Sequence, residues 1–148
     1  MPAGHTRVLA IDYGERRIGL AISDPTRTIA SPAGYIVRRA GKRPPVAELL
    51  RRIHQLEAGE VVVGLPLDGD GNETDRSREV RVIAGQLAER SALPVRLVDE
   101  RFTTAAALRA VKSLGGSTEG RKGDVDALAA TVLLQHALQL SSTPAFEP

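Results

Sequence analysis

A chain of 148 residues, 42% hydrophobic and 26% charged, is long enough to bury one core and too short for two ordinary domains. It has no cysteine, which excludes disulfides and thiolate metal sites, and no run near the roughly 20 apolar residues of a membrane span. Its 20 basic and 18 acidic residues give a net charge of +2, a weak lean toward nucleic acid that a mixed soluble surface explains better. The short polar start, residues 1–6, does not read as a signal peptide, so the expected location is the cytoplasm.

Residues 7–13 read as a strand and residues 18–23 as a second, joined by a turn around Gly14. A third is expected over 35–39, with Pro32 arguing against strand just before it. Residues 41–45 are a breaker. Val46, Leu49, Leu50, Ile53 and Leu56 then share one face of a helix over 46–57, which Gly59 would end. Residues 60–65, EVVVGL, form a continuously apolar strand of the buried type. After the polar loop LDGDGNETD, Thr74 or Ser77 caps a helix running to about Arg90. PVRLVDE, opened by Pro94, is read as another buried strand. Thr103 and Thr104 cap a helix to about Leu114, GGSTEGRKG is a loop, and Asp124 caps a last helix to about Leu140. The order predicts a mixed sheet of about five strands flanked by helices, in one domain over 1–140 with a frayed tail over 141–148.

In such α/β sheets, sites gather at the carboxyl ends of parallel strands. Asp12 ends the first strand, and Asp99 and Glu100 end PVRLVDE; these two strands are expected to be neighbours. Asp126 begins an apolar helical stripe of Ala129, Ala130, Leu133, Ala137 and Leu140. A carboxylate on a packed helix face is costly unless it is paired, metal-bound or solvated at a site. Each acid also has a plain explanation. Asp12 suits a turn, Asp99 and Glu100 can pair with Arg96 or Arg101, and Asp126 suits a helix N-terminus. Convergence of three acids favours a hard-cation site, because His5, His54 and His136 are scattered and oxygen-only ligands suit Mg²⁺ or Mn²⁺. Strand alternation leaves open which of Asp99 and Glu100 points inward. Basic residues cluster at Arg38, Arg39, Lys42 and Arg43, at Arg51 and Arg52, and at Arg121 and Lys122, and such clusters can hold phosphates. Aromatics are only 3%, so base stacking is not the main binding mode.

Four segments carry a resemblance. AIDYGERRIGLAISD, VVVGLPLDGDGNET, DERFTT and KGDVDALAATVLLQ resemble, in order, the four motifs of the YqgF/RuvX family and extend over nearly the whole chain. The resemblance implies an RNase H-like fold akin to the RuvC resolvases. It also implies a metal-dependent nuclease of the bacterial cytoplasm, acting in 5′-end processing of pre-16S rRNA during ribosome biogenesis or as a Holliday junction resolvase. Carried over by position, Asp12, Glu100 and Asp126 are the catalytic and metal-binding acids, with Asp99 in reserve, for two Mg²⁺ or Mn²⁺ ions. Arg17, Arg101, Thr103, Arg121 and Lys122 are the implied phosphate contacts. The chain departs from the pattern at Asp68 and Asp70, where a more neutral loop is expected. Expected partners are an rRNA precursor or branched DNA, ribosomal particles and a second copy of the chain, with no membrane. Two other readings remain. Strand–DYGERRIG–strand also resembles the phosphate loop of sugar kinases and actin-like ATPases, which enclose their nucleotide between two domains. A binding module that keeps the acids without using them is the other.

Overall fold

The computed structural model describes residues 6–38, 43–102 and 122–141. In chain order these form β1 (Arg7–Tyr13), β2 (Arg17–Ser23), β3 (Ala30–Val37), α1 (Val46–Gln55), β4 (Ala58–Leu65), α2 (Asp75–Ser91), β5 (Val95–Asp99), a 3₁₀ turn (Glu100–Phe102) and α3 (Lys122–Ser141). The expected helix over 103–114, its caps Thr103 and Thr104, most of the loop after it, Arg39, Lys42 and all but the first residue of the tail lie outside the described residues.

The strands make one mixed sheet in the order β3-β2-β1-β4-β5. β1 pairs antiparallel with β2 and parallel with β4, and β4 pairs parallel with β5. The carboxyl ends of β1, β4 and β5 therefore share one edge, as expected. β1 and β5 are not the neighbours the sequence suggested, because β4 lies between them.

The first turn is tight. The Gly14 N–H donates to the Arg17 carbonyl at 3.0 Å, and a Cβ on Gly14 would overlap that oxygen. β3 starts at Ala30 and includes Pro32, against expectation. It is an edge strand, and the pairing register shifts between Gly19 and Ala21, where Pro32 lies opposite Ala21. A proline is tolerated at such a position because its missing N–H costs no regular ladder bond. α1 ends at Gln55, four residues before Gly59, with Glu57 in the left-handed region at φ +55°. At the start of α2 both candidate caps are used. Ser77 N–H donates to Thr74 Oγ1 at 3.0 Å and Thr74 N–H to Ser77 Oγ at 2.7 Å, a reciprocal capping box. α3 begins at Lys122, so Asp124 lies in its first turn rather than capping it.

Alternation along β1 sorts the core. Leu9, Ile11 and Tyr13 face α1 and α2 with Leu49, Ile53, Val80, Ile83 and Leu87. Val8 and Ala10 face α3 with Val62, Ala129, Ala130, Leu133 and Ala137. β5 is half-buried rather than a fully buried strand, as befits the other edge of the sheet. Leu140, expected to close the α3 stripe, is exposed.

Candidate active site

Asp12 follows Val8 and Ala10 in alternation and so lies on the α3 side of the sheet, 3% exposed. Its cross-strand partner on β2 is Gly19. On the other side, one step past the Ile11–Val63 pair, the register brings it level with Gly64 of β4. Asp12 is thus flanked by two glycines, and both absent side chains leave room that the site uses. A Cβ on Gly19 would overlap the Asp126 carbonyl oxygen and stand 3.2 Å from the Ala127 nitrogen. A Cβ on Gly64 would overlap Glu100 Oε2 and stand 3.0 Å from Leu133 Cδ2. Gly19 lets the first turns of α3 descend onto β2, and Gly64 lets the Glu100 carboxylate fold over β4.

Three carboxylates from three elements are consequently buried on one face at one edge: Asp12 and Asp126 at 3% exposure and Glu100 at 4%. Val95 and Leu97 of β5 pack toward α1 and α2 and Val98 toward α3, so alternation carries Glu100 to the α3 side, where its carboxylate lies over Gly64. Asp99 is partly exposed and grips Arg101, whose Nε lies 3.0 Å and Nη2 2.7 Å from Asp99 Oδ2. That guanidinium, with the Arg101 backbone N–H, holds the Asp99 carboxyl below the usual carboxylate range.

Arg17, the first residue of β2, places Nε 2.8 Å from Asp126 Oδ2. Arg101 lies against the loop after β4, its Nη1 3.4 Å from the Gly69 carbonyl and 3.1 Å from where a Cβ on Gly71 would stand. Gly71 has φ +86°, so glycine is required there on both counts. Within the same loop, Asp68 Oδ1 accepts the Asp70 and Asn72 N–H groups at 2.9 and 2.8 Å. Asp68, an unexpected acid at the sequence level, is a loop-forming residue. Thr103 and Arg121 lie outside the described residues, and Lys122 opens α3.

The remaining basic residues are spread. Arg51 and Arg52 pair with Glu48, and Arg96 pairs with Glu60. Arg38 does more than its charge suggested. It stacks 4.4 Å above the Tyr13 ring, donates to the Gly14 carbonyl at 3.0 Å, and pairs with Glu79 of α2 at 3.0 Å. It braces the turn that follows Asp12 from the opposite face of the sheet. The Tyr13 hydroxyl beneath it has no hydrogen-bond partner among the described residues, and burial pushes its pKa up.

The sequence pattern alone singles out neither Gly19 nor Gly64. Its available signal was glycine inside two apolar strands, RIGLA and VVVGL, which marks close approach of another group.

The donor set is hard oxygen only and fits a divalent cation in type. Among the described residues, however, no three acids or histidines are grouped closely enough to share one ion. No helix among them is long and apolar enough to cross a membrane.

The sequence model of the RuvX family, described as Holliday junction resolvase, matches residues 6–140. A protein of Rickettsia bellii (strain OSU 85-389), named "Putative pre-16S rRNA nuclease", is 40% identical over 131 residues, 88% of this chain and 84% of its own. One of the same name from Koribacter versatilis is 40% identical over 146 residues, 99% of this chain and 95% of its own. Among solved structures, T. thermophilus RuvC in complex with Holliday junction substrate superposes with a TM-score of 0.56 at 19% identity, covering 93% of this chain and 96% of that one. The likeness establishes the RNase H-like fold.

Proposed function

The chain belongs to the RuvX family, and we propose that it is a divalent-cation-dependent nuclease that processes the 5′ end of pre-16S rRNA. One observation carries the catalytic part of this reading: three elements distant in sequence each bury a carboxylate on the same face and edge of the sheet. Burying a charge is costly, and no packing need requires three of them in one place. Two glycines are given up to accommodate them. The names of the relatives carry the choice of rRNA.

Asp12 and Glu100 are the donors that would hold Mg²⁺ or Mn²⁺, with Asp126 as third acid. A divalent ion held there would supply a lowered pKa for water and offset charge on a phosphoryl oxygen. The protein's own part is positioning. Buried carboxylates repel a polyanion until their charge is neutralised, so cation and substrate binding are coupled. Arg17 and Arg101 are the proposed backbone contacts beside the acids, with Thr103, Arg121 and Lys122 completing the set. The Arg17 and Arg101 guanidiniums are engaged by Asp126 and Asp99; Arg101 would exchange carboxylate for phosphate, whereas Arg17, bound to Asp126 through Nε, would reach phosphate through its Nη groups. Such contacts fix register and carry little sequence information. Ribosomal particles in the bacterial cytoplasm are the proposed setting.

Resolution of Holliday junctions is the second reading, favoured by the description of the family. It requires two sites in a symmetric pair of chains. The test offers purified protein a pre-16S rRNA fragment and a four-way DNA junction side by side with Mn²⁺. Faster cutting of the RNA supports the proposal, and faster cutting of the junction by a dimer replaces it with the second reading. Metal binding without cutting of either would leave a binding module.

A further inference from the structure

We infer that Arg17 takes the place of a second cation, so that this site admits a single divalent ion, held by Asp12 and Glu100. The inference rests on the nuclease reading above, which it narrows. Arg17 Nε lies 2.8 Å from Asp126 Oδ2, with Asp126 3% exposed and Arg17 18%. The pair is fixed from both ends. Arg17 opens β2 next to the Gly14 turn, where its carbonyl accepts the Gly14 N–H at 3.0 Å. Asp126 is fixed by the close seating of its own backbone over Gly19, two residues further along the same strand. Backbone and side chain of Asp126 therefore meet β2 together, and its carboxylate cannot leave Arg17 by a shift of the helix alone.

Two further points follow from charge. A divalent ion recruited to Asp126 would displace the guanidinium or sit against it, and either is unfavourable at low exposure. Finally, no three acids or histidines among the described residues are grouped closely enough to share an ion, as expected if one of the three site acids is committed elsewhere. Arg17 then leaves one positive charge fixed beside the Asp12 strand end, where a developing charge on phosphate is met without a second metal.

The readout is metal stoichiometry and affinity, independent of cleavage. Mn²⁺ is titrated into the full-length protein, followed by calorimetry and by the electron paramagnetic resonance of bound ion. Wild type is expected to bind one Mn²⁺ with an uncoupled spectrum, and Arg17→Gln two. Asp126→Asn, which keeps the size of the side chain, is expected to leave wild-type affinity within about twofold, whereas Asp12→Asn weakens it by about tenfold or more. Two spin-coupled ions in the wild type, a single ion in a folded Arg17→Gln, or an Asp126→Asn loss as large as that of Asp12→Asn would overturn the inference while leaving the nuclease reading intact. No Mn²⁺ binding, or full binding by Asp12→Asn, would overturn the cation-dependent reading itself and the inference with it.

Discussion

The two faces of the sheet are built from different materials. Toward α1 and α2 the core is large and branched: Leu9, Ile11, Ile18, Leu20, Leu49, Ile83 and Leu87 are almost fully buried. Toward α3 it mixes Val8, Val62, Leu133 and Leu134 with small side chains, Ala10, Ala21, Ala129, Ala130 and Ala137. Small side chains let the helix approach closely, and at the carboxyl edge of the strands glycines replace even the alanines. Bulk on one face secures the fold. On the other, alanines and glycines set among the larger side chains make room for three carboxylates that contribute nothing to hydrophobic stability.

Substitutions on the two faces should therefore separate stability from chemistry. The largest effect is expected at Asp12. Asp12→Asn keeps shape and removes charge, so it should forfeit several kcal/mol of transition-state stabilisation, about 10³-fold in cleavage rate. Its denaturation midpoint should change little. Leu49→Ala on the opposite face should cost about 3 kcal/mol in urea unfolding while activity per folded molecule stays near wild type. Unchanged stability there would mean that the α1–α2 face is not the main core.

Gly19→Ala comes next. The new methyl meets helix backbone, which cannot step aside, so about 2 kcal/mol of destabilisation is expected. Gly64→Ala meets mainly the end of the Glu100 side chain, which can swing away. It should cost about 1 kcal/mol in stability but displace the carboxylate, so its larger effect should appear as weaker Mn²⁺ binding. Equal effects of the two on stability would show that the Glu100 carboxylate is as rigidly held as backbone.

Much of this contrast was readable in advance, and what was not has identifiable causes. β1 is legible to the residue because its apolar run ends at a turn that needs Gly14. The burial of Asp126 follows from its place at the head of an apolar stripe. Strand order did not follow, because local periodicity carries no information about which strand is inserted between two others. Asp12 and Glu100 consequently come from strands on either side of β4, and Gly64 leaves room for the Glu100 carboxylate over it. The choice between Asp99 and Glu100 was hidden for a different reason. Alternation puts them on opposite faces, but helices cover both faces, and it is the packing of Val98 against α3 that shows which of the two shares a face with Asp12 and Asp126. β3 was shortened because Pro32 reads as a breaker without knowledge that the strand is at an edge.

The smallest expected effect lies away from both faces. Asp24 accepts the Ile29 and Thr28 N–H groups at 2.8 and 2.7 Å and the Thr26 hydroxyl, which together lower its pKa from 3.8 to about 2. A depressed carboxyl stabilises the fold above its unfolded pKa and loses that contribution as pH falls from about 4 through about 2. The group lies at the surface, where solvent screens it, so only a slight acid-induced loss is expected. Asp24→Asn should flatten the stability profile in that window and leave the profile above pH 5 parallel to wild type, as followed by thermal melts across pH.

The account stands most directly on the rate of Mn²⁺-dependent RNA cleavage per folded molecule, measured for Asp12→Asn beside Leu49→Ala. It predicts loss of cleavage in the fully folded Asp12→Asn and near-normal turnover in the folded fraction of Leu49→Ala. Wild-type cleavage by Asp12→Asn would contradict it, because the buried acids of the α3 face would then have no part in the chemistry.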